Sequence, residues 1–311
     1  ELENYFQPNW AMGIGMGRHM PILATRGCPY QCTFCSNPLM WTTRYKMRDP
    51  KEVVDEIEYL VREYKADSID FFDLTAIVKK EWTLAFCAEL KRRNLSITWQ
   101  LPSGTRSEAL DQETLTAIYE TGCRLITYAP ESGSERTLKS IKKMLKLPRI
   151  IDSIRIAKRI GHTVKANLVI GFPDEEHRDI LKTLWLSFKL ALYGTDDCNI
   201  SIFSPYPGSE LYERLRGENK IPAPDDDYII SLLVYFDLTK TASYCEGVSG
   251  RSLAFYRLIV YLVFYSTAYV VYPKRLIRVA KSIMSASFKP GNVIEQRLYD
   301  IYARRTRSRS A

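Results

Sequence analysis

Residues 26–35 read RGCPYQCTFC and place Cys28, Cys32 and Cys35 in the spacing C-x3-C-x2-C. Three thiolates on one short loop can hold three irons of a cubic [4Fe-4S] cluster, and they leave the fourth iron without a protein ligand. Structural zinc sites instead close their shell with four Cys or His ligands. No further cysteine stands nearby, and the closest histidine, His19, precedes the loop. The stretch therefore predicts a cluster with one open iron position, where chemistry can take place.

The chain around this loop alternates two kinds of segment. Between residues 21 and 217, short apolar and β-branched runs are separated by longer segments of helical period, which is typical of repeated βα units and a parallel sheet. We expect an α/β fold with six strands, near residues 22–25, 68–72, 97–101, 124–128, 163–170 and 199–203. Six units are too few to close an eight-stranded barrel, so the barrel is either open or has its gap filled.

The cysteine loop, with Phe34 directly before its last cysteine, resembles the cluster-binding signature of the radical S-adenosylmethionine (SAM) superfamily. The resemblance implies a partial (βα)6 TIM-like barrel with the cluster loop after its first strand. It implies that SAM chelates the open iron and is cleaved reductively to a 5′-deoxyadenosyl radical, which abstracts a hydrogen atom from the substrate. An electron donor such as flavodoxin or ferredoxin would reduce the cluster.

Residues 129–134, APESGS, follow the fourth predicted strand and resemble the superfamily's ribose-binding motif. The resemblance assigns Glu131, with Ser132 beside it, to the hydroxyls of the SAM ribose, and a carboxylate can accept hydrogen bonds from both. The other interpretation is a helix start, capped by Ser132 or Ser134, with Glu131 near the positive end of the helix dipole.

Two further loops resemble SAM contacts of the same superfamily. Residues 167–175, NLVIGFPDE, resemble the adenine-side motif, in which Gly171 would let the backbone approach the adenine and Ile170 would pack on its face. Residues 204–211, SPYPGSEL, resemble the P-G-[TS]-x-L element and add Pro205 and Tyr206 to the predicted SAM-binding residues. The backbone of Phe34 would lie beside the adenine.

Two further charged residues are candidates for SAM contacts, but the sequence around them matches the family motifs less closely. Arg106 follows the third predicted strand; it could meet the SAM carboxylate or an anionic substrate group, or it could be a surface charge. Asp73 stands in FFDLT after the second strand, where many relatives carry G-G-E, and the resemblance assigns it to the SAM amino group. We predict no catalytic side chain beyond the cluster ligands.

Charge and cysteine usage limit the setting of the protein. The whole chain has a formal net charge of +8, but residues 251–311 alone carry 12 Lys or Arg against 2 Asp or Glu, so the basicity belongs to the C-terminal part. A nucleic-acid partner is therefore not expected for the core. Seven cysteines that form no disulfide framework, and first residues without a secretory signal pattern, indicate a reducing cytoplasm.

The chain divides into four predicted segments. Residues 1–20 read as a linker or tag-like segment, residues 21–224 as the radical SAM core, residues 225–300 as a helical extension, and residues 301–311 as a basic disordered tail. An uncharged run at 258–272 is shorter than the ~20 residues of a membrane span, so we expect it to pack on the barrel. Peripheral membrane contact through the basic extension is the alternative.

The sequence PNW at residues 8–10 resembles the P-D-W linker that joins a cobalamin-binding domain to a radical SAM domain in the BchE-type and class B methylase subgroup. The resemblance implies methylation or another carbon-centred modification of an apolar, tetrapyrrole or lipid-like small molecule, with cobalamin held by a domain absent from this chain. The alternatives are an RNA-modifying methylthiotransferase-like radical SAM enzyme and a non-enzymatic Fe-S electron carrier.

Overall fold

The computed structural model describes residues 17–106, 109–222, 224–232 and 242–277, with the single residues 279 and 295. The linker-like residues 8–10 and the predicted tail at 301–311 lie outside the described residues. The described chain contains eight strands: β1 His19–Ile22, β2 Thr25–Arg26, β3 Lys46–Met47, β4 Ser68–Phe71, β5 Thr98–Thr105, β6 Cys123–Glu131, β7 Thr163–Ile170 and β8 Asp197–Ile202.

The described helices alternate with these strands or follow them. They are α1 Asn37–Met40, α2 Pro50–Tyr64, α3 Lys80–Arg92, α4 Gln112–Glu120, α5 Glu135–Ser140, α6 Leu147–Ile160, α7 His177–Leu192, α8 Glu210–Gly217, α9 Asp226–Ser231 and α10 Gly250–Val271.

Six strands form one parallel sheet in the order β1-β4-β5-β6-β7-β8, so each βα unit lies beside the unit that precedes it. Among the described residues β1 and β8 are the two edges, and the sheet does not close into a ring. The fold is therefore α/β, a partial TIM-like barrel of six units, as the sequence predicts.

The strand boundaries differ from the prediction where the chain departs from regular pairing. The first strand ends at Ile22, because Thr25 and Arg26 pair with β3 in a separate antiparallel hairpin. Strands β5 and β6 run beyond the predicted ends to Thr105 and Glu131, and both extensions follow register shifts in the ladder. These irregular ends carry the polar residues of the cavity described below.

The two faces of the sheet differ in polarity. Phe71 of β4 and Trp99 of β5 pack with Phe86 of α3 on the helix-covered face, at ring-centroid distances of 5.3 to 5.6 Å. Because side chains alternate along a strand, Asp70 and Gln100 lie on the opposite face. Gln100 Nε2 donates a hydrogen bond to Asp70 Oδ1 at 2.6 Å, so this inner face is polar.

The C-terminal helix α10 packs against α7 and β8. Its buried stripe consists of Leu253, Arg257, Val260, Phe264 and Ala268. By length and composition α10 is the one described helix that could cross a membrane, although 28% of its apolar window is buried inside the protein. A helix with one face against a sheet occupies the place that a further barrel helix would take.

Candidate active site

A cavity of about 280 Å³ opens at the carboxyl ends of the parallel strands. In parallel α/β folds this edge of the sheet is where ligands bind, because loops from several strands meet there. The cavity is lined by the three cysteines of the loop and by Tyr30, Phe34, Asn37, Leu74, Thr75, Gly104, Arg106, Ala129, Glu131, Lys143, Asn167, Leu168, Val169, Asn199 and Ser201.

The cysteine loop is fixed to the rest of the barrel through its backbone. Thr33 N–H donates to the carbonyl of Ile141 at 3.1 Å, and the N–H of Leu211 donates to the carbonyl of Thr33 at 2.9 Å. The side chain of Asn37 donates to the carbonyl of Cys28 at 3.2 Å. Gly27 begins the loop at φ +78, and a Cβ there would lie 2.2 Å from the carbonyl oxygen of Arg44, so only glycine fits this turn.

The three thiols fit a cluster better than a single ion. Cys28, Cys32 and Cys35 form no disulfide and all line the cavity. In the described part of the chain, no group of three His, Cys, Asp or Glu side chains converges closely enough to hold one metal ion. A cubic cluster does not require such convergence, since each cysteine binds a different iron. The donor set therefore suits a [4Fe-4S] cluster with one open position.

The cavity wall next to the thiols carries two cations and one carboxylate, and the negative charge of Glu131 adds to the rise in the Cys32 pKa. Burial raises the pKa of the Cys28 and Cys32 thiols, and the positive charges of Arg106 and Lys143 act in the opposite direction. Cations at this place favour thiolates, which are the form that binds iron. Arg106 and Lys143 both line the cavity, and of the two only Arg106 was predicted from the sequence as a site residue.

Glu131 forms an ion pair inside the cavity. Lys143 Nζ lies 2.7 Å from Glu131 Oε1, and each side chain is only 9% exposed. The backbone of Glu131 has φ +64, which is unusual for a residue with a side chain, and the N–H of Ser132 donates across it to the carbonyl of Pro130 at 2.8 Å. Strained residues of this kind cluster at functional sites.

The helix-cap interpretation of this segment holds only for position, because Ser134 is the N-cap residue of α5 but does not cap it through its side chain. Helix α5 begins after Ser134, whose side chain makes no capping hydrogen bond and instead donates to Asp179 Oδ1 at 2.6 Å. Ser132 is fully buried, and its hydroxyl contacts Thr183 Oγ1 at 3.0 Å. Ser132, a predicted SAM-binding residue, is therefore not among the residues that line the cavity, whereas Glu131 is.

Arg106 is not a surface charge. Only 7% of Arg106 is exposed, its guanidinium carbon lies 3.5 Å from the ring centroid of Tyr30, and it donates to the carbonyl of Met144. These contacts place the cation between the cysteine loop and the segment after α5. The alternative of a solvated arginine is wrong, because the extension of β5 carries the residue into the cavity.

The structure does not bring Asp73 into the cavity. This carboxylate is buried and accepts hydrogen bonds from the N–H groups of Ala24 and Thr25 and from the Thr25 hydroxyl. Burial raises the pKa of Asp73 against the effect of these hydrogen bonds. Asp73 fixes the turn between β1 and β2, and the next two residues, Leu74 and Thr75, line the cavity instead.

The side chains of Val169 and Ile170 lie on opposite faces of β7, because side chains alternate along a strand. Ile170 is fully buried in the core on the helix side, and Val169 lines the cavity. The predicted adenine contact at Ile170 is thus one residue away from the side chain that faces the site. Gly171 follows at φ +88, where a Cβ would lie 2.9 Å from Leu253 Cδ1.

Glu175 holds the loop after β7. Its Oε2 accepts from the N–H of Gly171 at 2.7 Å, and its Oε1 accepts from the Thr137 hydroxyl at 3.2 Å. Burial raises the pKa of Glu175 to about 7, and these hydrogen bonds only partly oppose that effect. The predicted motif included this residue without giving it a role.

Pro205 and Tyr206 are not among the cavity-lining residues. The carbonyl of Pro205 accepts a hydrogen bond from Tyr228, and Tyr206 is 43% exposed. The loop that contains them braces the cysteine loop, because Ser36 Oγ donates to the carbonyl of Pro207 at 2.9 Å. Phe34, which is in the cavity, packs on Phe172 at a ring-centroid distance of 5.5 Å.

Sequence reasoning missed the polar row on β7 and β8. Asn167 pairs in register with Asn199, and Val169 pairs with Ser201. Asn167 Oδ1 is buried without a hydrogen-bond partner among the described residues, so it can accept a donor from a ligand. The polar residues at alternate positions of β7 were the signal that could have identified this row.

The sequence matches a known protein family and individual relatives within it. The sequence profile of the Radical SAM superfamily matches residues 22–185. An uncharacterized methyltransferase of Pyrococcus horikoshii is 31% identical over 64% of this chain and 42% of its own length. An anaerobic magnesium-protoporphyrin IX monomethyl ester cyclase of Rubrivivax gelatinosus is 28% identical over 61% of this chain and 34% of its own length. The chain thus spans well under half of these relatives.

A solved structure shows the same fold. The radical S-adenosylmethionine methyltransferase TsrM from Kitasatospora setae, with tryptophan and a SAM analogue bound, superimposes with a TM-score of 0.57. The match covers 70% of this chain and 40% of that one at 17% sequence identity.

Proposed function

The chain belongs to the radical SAM superfamily, and from that premise we propose that the cavity at the carboxyl ends of its strands is the site where a [4Fe-4S] cluster and SAM react. One observation carries the proposal: the three cysteines share a single cavity with the buried pair of Glu131 and Lys143. When bound, the cluster and SAM supply reductive cleavage of the sulfonium and hydrogen-atom abstraction by a 5′-deoxyadenosyl radical.

The side chains of the cavity have distinct proposed roles. Cys28, Cys32 and Cys35 hold three irons, and the cationic side chains of Arg106 and Lys143 offset negative charge at that end of the cavity. Anionic ligand groups next to these cations are stabilised because both cationic side chains are mostly buried. The loop is held by backbone hydrogen bonds, so the thiols are positioned before the cofactor arrives.

A second group of lining residues suits a nucleoside. Glu131 accepts from ribose hydroxyls, and Lys143 keeps its carboxylate oriented through the 2.7 Å contact. Val169, rather than Ile170, offers an apolar surface to an adenine ring. Asn167 Oδ1, which lacks a partner among the described residues, accepts from an amino or hydroxyl donor of a ligand.

We further propose that the reaction is a methylation or another carbon-centred modification of an apolar, tetrapyrrole or lipid-like small molecule. The similarity to two relatives, an uncharacterized methyltransferase and a magnesium-protoporphyrin IX monomethyl ester cyclase, supports this class. Flavodoxin or ferredoxin is the proposed electron donor in a reducing cytoplasm. We include cobalamin as a further cofactor because residues 8–10 resemble a linker to a cobalamin-binding domain.

Anaerobic reconstitution with iron and sulfide, reduction with dithionite and addition of SAM test the proposal. We expect 5′-deoxyadenosine in the product mixture, measured with and without added cobalamin. Cys32→Ala should abolish it, while Cys87→Ala, which removes a buried thiol outside the cavity, should retain it. Cleavage by Cys32→Ala, or a fully loaded wild-type cluster that leaves SAM intact, would contradict the proposal.

A further inference from the structure

Helices α7 and α10 present an apolar surface that no described residue covers. On α10, the exposed fractions are 60% for Phe255, 56% for Leu258, 54% for Leu262 and 79% for Val270. On α7, Leu181 is 51% exposed and Trp185 is 56% exposed. We call these six residues the α7–α10 face. Exposed apolar side chains that are grouped on adjacent helices are typical of an interaction site.

The two helices lie side by side and point in the same direction. His177, at the start of α7, is hydrogen-bonded to Tyr256 of α10 at 2.9 Å between Nδ1 and the phenol oxygen. At the other end, the Tyr272 hydroxyl donates to the carbonyl of Leu192 at 2.8 Å. The exposed residues of α10 recur at intervals of three, four and eight, which keeps them on one stripe of the helix. The face therefore belongs to two adjacent helices and not to scattered positions.

The exposed charges on α7 and α10 themselves are positive, and the exposed carboxylates that precede the two helices, Glu176 and Glu246, are each paired with a cation, Arg178 and Lys220. Lys182 of α7, Arg251 at the start of α10 and Lys274 just beyond its end are all exposed. Helix α10 contains no acidic residue, and the only acidic residue of α7, Asp179, is fully buried and paired with Arg136. A partner for this surface must therefore offer hydrocarbon to the leucines and the aromatic rings, and negative charge to the cations.

We propose that the α7–α10 face binds the surface of an anionic phospholipid membrane, with the two helices lying in the interfacial plane. An apolar stripe flanked by cations, together with an exposed tryptophan, matches the acyl and headgroup layers of such a surface. Lys and Arg side chains at its edges extend to the headgroup phosphates, and each contributes electrostatic attraction. A nucleic-acid backbone supplies the negative charge but offers no hydrocarbon.

Helix α10 lies on the membrane in this proposal and does not cross it. One stripe of the helix is packed on the barrel, and that stripe includes Arg257, which is only 3% exposed. Only the opposite stripe is available to lipid. The cavity with the cysteines remains on the barrel, so membrane binding and the proposed chemistry use different residues.

Sedimentation with vesicles tests the proposal on the intact chain. Binding should be strong to vesicles that contain phosphatidylglycerol, weak to pure phosphatidylcholine, and reduced by salt because screening weakens the attraction. The double change Leu258→Glu and Leu262→Glu should reduce the affinity for anionic vesicles at least about tenfold, since the burial of even one leucine in lipid is worth more than the ~1.4 kcal/mol of a tenfold change. Tyr59→Glu, on the exposed surface of α2, is the matched control and should leave binding unchanged.

Trp185 provides a second readout. Its fluorescence should shift to shorter wavelength on addition of anionic vesicles, and a Trp185→Phe variant should lose that shift. Three outcomes would overturn the proposal: no binding of the wild-type chain to anionic vesicles, equal binding to neutral vesicles, or self-association of the wild-type chain that the Leu258→Glu and Leu262→Glu changes abolish. The last outcome would mean that a second copy covers the face.

Discussion

Lys143 Nζ and Glu131 Oε1 lie 2.7 Å apart in the wall of the cysteine cavity, and each side chain is 9% exposed. The residue that we propose to accept hydrogen bonds from a nucleoside is thus itself held by a cation that also lies near the thiols. A buried pair of this kind adds little net stability while both partners are present, but removal of one partner leaves an uncompensated charge.

Glu131→Gln is expected to lower the free energy of unfolding by about 3 to 5 kcal/mol, because Lys143 is then buried without its counter-charge. Urea denaturation of the two proteins measures this loss. The double change Glu131→Gln with Lys143→Met should recover at least half of it, while SAM affinity stays low. Equal stability of wild type and Glu131→Gln would show that the pair is solvated.

Gly171→Ala is expected to destabilise the protein by about 1 to 3 kcal/mol, since alanine at φ +88 is strained and its Cβ meets Leu253. Thermal unfolding measures the shift. Gly217→Ala is the matched control, because a Cβ there has nothing within 4 Å and the position is helical. That change should be neutral or slightly stabilising, and an equal loss from both changes would argue against the strain at Gly171.

Val169→Ala should mainly affect SAM binding, whereas Ile170→Ala should mainly affect the stability of the fold. Val169→Ala removes an apolar surface of the cavity and should weaken SAM binding several-fold with a small change in stability. Ile170→Ala opens a hole in the core and should cost about 2 to 5 kcal/mol of unfolding free energy with SAM affinity retained. Equilibrium binding and urea denaturation of the same samples separate the two, and the reverse result would place the adenine on the other face of β7.

Glu175 should make stability fall as pH rises from about 4.5 to about 7. Burial raises the pKa of Glu175 from 4.5 to about 7 in the folded protein, so in this window the unfolded chain releases the proton and the folded protein keeps it. The loss is on the order of 3 kcal/mol. Glu175→Gln should remove this contribution, so its stability relative to wild type should increase across the window in urea titrations at several pH values. A relative stability that decreases with pH would contradict the assigned direction.

The sequence predicted those parts of the molecule that follow from periodicity. Residues 163–170 form β7 as predicted, because strict alternation in a strand leaves little choice of boundary. The cysteine loop was singled out by its spacing and Glu131 by the resemblance of its segment to a family motif, and the structure brings both to one cavity. In contrast, Asp73 was assigned to SAM from its position after a strand, while three hydrogen bonds from the β1–β2 turn determine where it points.

Residues from distant parts of the chain were harder to predict. Lys143 reaches the cavity only because α5 ends shortly before it, at Ser140, and its side chain then extends to Glu131. Ile170 was predicted to pack on the adenine because the motif gives the residues of the loop but not the face of the strand on which each side chain lies. Register and bulges, which set the ends of β5 and β6, depend on pairing between strands and leave no local signal.

The brace between the cysteine loop and the loop after β8 has a consequence for how the protein is made. Ser36 and Thr33 are tied to Pro207 and Leu211, so the first and last βα units meet at the cluster loop although the sheet itself is open. A nascent chain that has not yet emerged past Leu211 has the three cysteines but not this support. Until the sixth unit is present, the cysteine loop therefore lacks two of the hydrogen bonds that hold it in the folded protein.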